Sequence, residues 1–321
     1  MLNNPGQSAN FVTYAREKKI YIILMILGLL SLSLASAFDY QISHAVINQN
    51  SIFGVIFQTA ADQGANLLLI IAFQILAFYS WQRDPQKLSN KALSAGFIAL
   101  SFNQILALLQ DFLSYLFSAI HNAQDGIALG KANNTSASLN YPESLRWLLA
   151  IVLLLFIMAA IWHALSRLNE ADLNYLLRAA LVAVVLVFVA NLTINEMKSL
   201  WGRYRPYETI LAGHPDHFTP WYHLNGMNGH NSFPSGHTTS GWLWLYLPFF
   251  IPRSKVRPQL ILTVLGLSVA ILTALSRVRI GAHWLSDVTV ASLIVGNLVF
   301  LASRLLQAHF VEHEKVAVKN S

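Results

Sequence analysis

The sequence predicts an all-α fold, a polytopic transmembrane helical bundle of about six to eight spans. Three observations predict it. Hydrophobic residues make up 55% of the 321 positions and charged residues 11%, whereas a soluble domain carries about 25% charged residues. Apolar runs close to the length of about 20 residues that a crossing helix needs recur along the chain. The lysines and arginines also divide unequally between alternate connecting segments, as they do in membrane proteins. So few charges could not cover a soluble surface of this size. The apolar content also excludes disorder and low complexity. With no cysteine, a disulfide framework, a thiolate metal site and a cysteine nucleophile are all excluded. The net charge of +6 is read as the cation excess of a membrane protein, not as a nucleic-acid footprint.

The runs fall at 20–38, 65–81, 95–120, 145–165, 176–193, 239–251, 260–275 and 284–306. The first follows Arg16, Lys18 and Lys19 and ends near Ala35-Ser36-Ala37. Those features resemble a signal peptide, but the run reaches spanning length and an uncleaved span is expected. The third run carries Asn103, Gln104, Gln110 and Asp111, and charge at membrane depth is costly; a partly interfacial segment is the expectation there. The sixth is too short by itself and must borrow from 233–238. Eight crossings with the N-terminus inside place fourteen Lys/Arg on inner segments and seven on outer ones, with none in the outer loop 39–64. That sorting sets the expected topology. Residues 1–174 read as N-terminal spans and loops, 175–308 as a catalytic membrane core, and 309–321 as a cytoplasmic tail.

Three segments break the apolar pattern with reactive residue types. They are Lys198 to Pro206, Ser232 to His237, and Ser276 to Asp287. All three fall on the outer side of the expected topology, where separate helices can present them to one site. Lys198, Arg205 and Arg277 supply fixed positive charge suited to a phosphate or its transition state. Ser235-Gly236-His237 opens a helix, whose free N–H groups can bind an anion, and Gly236 permits close approach. His237 and His283 remain, with Asp287 four residues beyond His283. If that stretch is helical, the carboxylate lies on the same face and can orient the imidazole. One histidine as nucleophile and the other as general acid gives two-step phosphoryl transfer without a metal.

The pattern K-x6-R-P, then P-S-G-H, then S-R-x5-H-x3-D resembles that of the type 2 phosphatidic acid phosphatase superfamily. That superfamily includes glucose-6-phosphatase and the vanadium haloperoxidases. This sequence matches at Lys198, Arg205 and Pro206, at Pro234 to His237, and at Ser276, Arg277, His283 and Asp287. The resemblance implies a helical-bundle lipid phosphatase in which His283 is the nucleophile, Asp287 holds it and His237 protonates the leaving group. Lys198, Arg205, Ser235, Gly236 and Arg277 are then the phosphate-binding residues. It implies no metal or cofactor, a lipid phosphate as substrate, membrane lipids as surroundings, and no nucleic-acid partner. It also implies a multi-pass protein of the cytoplasmic (inner) membrane with its site on the periplasmic or extracellular side. Substrates in view are undecaprenyl diphosphate, phosphatidylglycerophosphate, phosphatidic acid and lipid A phosphates. The family's usual core has three spans before the first motif; five precede it here, so two are accessory or the third run does not cross.

Several residues carry a second reading. Arg203 and Arg279 stand beside motif arginines, and interfacial cations are the expectation for both. His214, His217, His223 and His230 match no tight zinc spacing and read as solvated loop histidines. Tyr207, Phe218, Trp221, Tyr222 and Phe233 either shape the headgroup entrance or form an interfacial belt. A phosphotransferase with the same phosphohistidine differs only in its acceptor. A non-catalytic transporter would show paired interrupted spans, whereas Pro248 and Pro252 interrupt only one.

Overall fold

In a computed structural model, which describes residues 5–131 and 143–312, helices run through every apolar segment. They are α1 (Pro5–Val46), α2 (Ile52–Ala60), α3 (Gly64–Arg83), α4 (Leu88–Gln124), α5 (Glu143–Leu165), α6 (Glu170–Trp201), α7 (Pro206–Thr209), α8 (Gly236–Leu243), α9 (Val256–Arg279) and α10 (Leu285–Leu305). Among the described residues, seven helical stretches are long and apolar enough to cross a membrane, and the chain is a multi-pass membrane protein. The third run, expected to be partly interfacial, is one of them: α4 is 37 residues long.

The sixth run behaves differently. Its α-helix stops at Leu243 and continues as a 3-10 helix over Trp244–Phe250. Eight residues at 1.5 Å and seven at 2.0 Å give about 26 Å, close to a hydrocarbon thickness of about 30 Å. The tighter winding lengthens a segment that is short in residues. It packs along α9, α6 and α3 and buries Tyr246, whose hydroxyl donates to the Ala179 carbonyl at 2.7 Å.

The helices meet through small residues. Ala179, Ala180, Ala183 and Ala190 of α6 are fully buried, which permits close helix approach where lipid offers no hydrophobic drive. Gln74 of α3 is also buried and donates to Ser101 Oγ of α4 at 3.0 Å. Leucines and isoleucines of α1, α5 and α9 remain exposed on the outside of the bundle.

Chain direction separates two ends. α6 and α9 run toward the motif residues Lys198 and Arg277, while α3, α8 and α10 start beside them. Arg83, Arg253, Lys255, Arg257 and Arg304 therefore stand at the opposite end. There Glu17 of α1 receives Arg304 at 2.9 Å and the Phe310 N–H at 2.8 Å. Lys315 and Lys319, counted among the inner cations, lie outside the described residues.

Candidate active site

Each motif is a helix end. α6 stops at Trp201 because Gly202 adopts the left-handed φ of 51°, which disfavours side chains with a Cβ. A Cβ there would also lie 2.0 Å from the Gly226 carbonyl oxygen. The turn leaves Lys198 in the last helical turn and sends Arg203 inward. Pro206 then opens α7, and Glu208 accepts the Arg205 N–H at 2.7 Å.

In the second motif Ser235 caps α8: its Oγ accepts the Thr238 N–H at 3.3 Å and the Thr238 hydroxyl at 2.9 Å. Ser235 is itself fully buried. A Cβ on Gly236 would stand 2.8 Å from Lys198 Nζ. The bare glycine thus lets the ammonium lie over the helix N-terminus, where the free N–H groups already favour an anion.

The third motif turns between α9 and α10. The Ala282 and His283 N–H groups reach the Arg277 carbonyl at 3.0 and 3.3 Å. Asp287 Oδ2 accepts the Trp284 N–H at 2.9 Å and so caps α10. His283 precedes the helix; the expected helical face shared by His283 and Asp287 is instead a capping turn. Nδ1 of His283 lies 2.7 Å from the Ser232 carbonyl oxygen and 3.5 Å from Asp287 Oδ2. A carbonyl only accepts, so Nδ1 carries the proton and Nε2 is the free, unprotonated nitrogen. Asp287 acts one step back: it accepts the Ser232 hydroxyl at 2.5 Å and thereby braces the residue whose carbonyl holds the ring.

Lys198, Arg205, Gly236, His237, Arg277 and His283 line one cavity of about 390 Å³. Six of the eight site residues read from the sequence meet there. Ser235 and Asp287 lie behind the wall and hold it. Burial, reinforced by Arg205, Arg277 and Lys198, keeps the His283 imidazole well below its ordinary pKa.

Four residues outside the expected set join the site. Arg203 is neither a phosphate contact nor an interfacial cation. It is fully buried and donates to Asp287 Oδ1 at 2.6 Å, Ser286 Oγ at 2.7 Å, Asp39 Oδ2 at 3.0 Å and the Thr219 carbonyl at 2.9 Å. Asp39 of α1 also accepts the Ser286 N–H at 3.1 Å and the Ser286 hydroxyl. Ser232 is the third, and Asp62 the fourth: its Oδ2 stands 3.2 Å from His237 Nε2. That nitrogen is buried without a hydrogen-bond partner. The available signal was the outer loop 39–64, which lacks Lys and Arg but carries Asp39 and Asp62.

Asp111, expected at an interface, lines the cavity instead, while Asn103 and Gln104 do not. Arg279 donates to the Val46 carbonyl, away from the cavity. His230 lies 3.2 Å from Glu208 and stacks on Tyr204 at 3.6 Å. His214, Asp216 and His217 are grouped on the surface loop with ligand atoms within 4.8 Å of one another. Phe218 packs edge-on to Trp284, and Phe233 is buried against Trp201 and Trp221. Those three loop aromatics buttress the motif backbones, Tyr207 lies against the Arg205 guanidinium, and Tyr222 is exposed.

Residues 176–310 match the model of the PAP2 superfamily. Over 131 residues the chain is 38% identical to a lipid A 4'-phosphatase of Rhizobium etli, covering 40% of this chain and 48% of that protein. It is 36% identical over 131 residues to a lipid A 4'-phosphatase of Rhizobium leguminosarum, covering 40% and 52%. A lipid A 1-phosphatase of Rhizobium etli is 29% identical over 170 residues, covering 50% and 66%. The chain thus spans about half the length of the first two relatives. No solved structure matches it. All three motifs, and eight of the residues that line the cavity, fall inside the matched segment, and this C-terminal region, residues 176–310, belongs to the PAP2 superfamily.

Proposed function

We propose that the chain is an integral membrane phosphatase that removes phosphate from a lipid through a phosphohistidine on His283. The observation that carries this reading is the Ser232 carbonyl on Nδ1 of His283. It fixes the tautomer and leaves Nε2 as a neutral nucleophile in a cavity with Lys198, Arg205 and Arg277. Nε2 attacks phosphorus, and the N–P bond forms as the P–O bond to the lipid alcohol breaks. His237 gives its proton to the departing oxygen. Water then attacks phosphorus, the N–P bond breaks, and the water's proton passes to His237 as phosphate forms. The three cations and the N-terminus of α8, at Gly236 and capped by Ser235, hold the phosphoryl oxygens and the charge that spreads over them in the transition state. His237 must enter the first step protonated. An arriving phosphate dianion and the Asp62 carboxylate both favour that state. No step in this scheme uses a metal.

The names of the relatives make lipid A phosphates the first substrates to test. Undecaprenyl diphosphate, phosphatidylglycerophosphate and phosphatidic acid are the others. The cationic end of the bundle opposite the cavity supports a cytoplasmic-membrane protein whose site faces outward. The test is phosphate release by the detergent-purified chain from these lipids in EDTA, beside His283→Ala. Release without metal that disappears in the variant is expected. Release that survives His283→Ala overturns the nucleophile.

A further inference from the structure

Two parts of the chain line the cavity. One carries Lys198, Arg205 and Arg277 from the family-matched region. The other carries Asp62, Asn66, Asp111 and Tyr115 from the N-terminal spans, outside that region. Arg277 is almost fully buried, and its Nε has no hydrogen-bond partner. That open donor marks Arg277 as a place for the phosphoryl oxygens.

Two of the N-terminal residues gather at His237. Tyr115 packs edge-on to His237 with ring centroids 5.4 Å apart, and Asp62 lies 3.2 Å from its Nε2. His237 is the residue that meets the departing oxygen in the proposed reaction. Groups clustered around it therefore face the alcohol, not the phosphate. Two carboxylates would repel a phosphoryl group, so their use lies in accepting hydrogen bonds. Asn66, which sits beside the Asp111 carboxylate, and Tyr115 add groups that both donate and accept. Carboxylates within membrane helices are costly and mark functional paths.

We propose that Asp111, Asn66 and Tyr115 form a subsite for hydroxyl groups of the departing alcohol, and that this alcohol is a sugar carried on a lipid. The inference rests on the phosphohistidine reading above. It separates the candidate substrates by charge and donors. Phosphatidic acid releases diacylglycerol, which brings no donor besides the new hydroxyl. A polyprenyl diphosphate releases an anion, which the two carboxylates repel. A phosphorylated, acylated sugar releases a neutral ring with several hydroxyls. A cavity of about 390 Å³ falls within the range of small-ligand sites.

The test uses the full chain in detergent and three probes: an acylated glucosamine disaccharide phosphate, phosphatidic acid and a polyprenyl diphosphate. The readout is the ratio of kcat/KM between probes, in wild type, Asp111→Asn and Tyr115→Phe. The wild type should prefer the sugar phosphate. Asp111→Asn should lower its ratio to phosphatidic acid about tenfold, as expected when a site built to hydrogen-bond a hydroxyl loses a partner. The same change removes a negative charge and should raise the ratio of diphosphate to phosphatidic acid. Tyr115→Phe keeps the ring against His237 and should lower the sugar ratio severalfold, which carries the test if Asp111→Asn does not fold. Ratios unchanged in both variants, or a wild type without preference for the sugar phosphate, overturn the subsite and leave the phosphatase reading standing. No release from any probe, or release that survives His283→Ala, overturns the phosphatase reading and the subsite with it.

Discussion

The C-terminal region and the N-terminal spans line one cavity by different means. From residue 176 onward, site residues come from three short segments, each a helix end whose local geometry places several groups at once. Before it, Asp39, Asp62 and Asp111 are isolated polar residues on separate helices. Helix ends set backbone N–H groups, caps and charges together, which suits the invariant chemistry of phosphoryl transfer. Single side chains on packed helices place one donor or acceptor at a time, which suits adjustment to a particular alcohol.

The sharpest way to break that division is to find a C-terminal substitution that alters selectivity without abolishing turnover. His283→Ala is expected to do the reverse, lowering phosphate release at least about 10³-fold from every lipid alike. Arg203→Ala leaves Asp39 and Asp287 buried without their shared cation, and breaking a buried pair costs about 3–5 kcal/mol. Its thermal midpoint in detergent should fall, or the protein should fail to purify as a monodisperse species. Lys198→Ala removes the ammonium over α8 and should cost about 10²-fold in kcat, measured with the same lipids.

Asp39→Asn tests the comparison from the other side. It is an N-terminal residue, yet it acts on Asp287 through Arg203 and Ser286. The expected loss is about tenfold and equal across lipids; a change in selectivity would place Asp39 with the subsite instead. The smallest effect concerns pH. In the proposed reaction His283 must be neutral to attack, and burial with nearby cations holds its pKa well below the ordinary value of about 6.5. Activity should therefore persist as pH falls through about 6.5. Arg205→Ala removes one of those cations and should move the acid limb of the kcat/KM profile upward. The substrate's own titration is common to both proteins, so the displacement belongs to the enzyme.

Much of the chemistry was legible because its spacing is local. Lys198 to Pro206 runs across the end of α6 and Pro234 to His237 across the start of α8, so residue type and order carry the geometry. The bond to His283 was not legible, since its acceptor is the backbone of Ser232 and not a side chain. The condition of a helix through 283–287 is not met, because α10 begins only at Leu285, with Trp284 as its N-cap and Asp287 closing the cap. Arg203 was misread because burying a guanidinium is costly; nothing near it in sequence shows that two carboxylates from α1 and α10 compensate. Asp111 was discounted for a related reason. Its burial looks expensive until α3, α6, α8 and α9 enclose a polar cavity around it. The short sixth run shows a third limit: counting residues misses the extra rise of a 3-10 winding.

Arg203 also bears on how the bundle matures. Its guanidinium draws one carboxylate from near the start of the chain and one from near its end. During synthesis the arginine emerges with Asp39 already made and Asp287 still to come. Of its two carboxylate partners only Asp39 has then been made, and the pair with Asp287 can close only when α10 is in place. The link that Arg203 makes between α1 and α10 thus cannot be complete before α10 has been made, and Asp287 reaches the Ser232 hydroxyl only then.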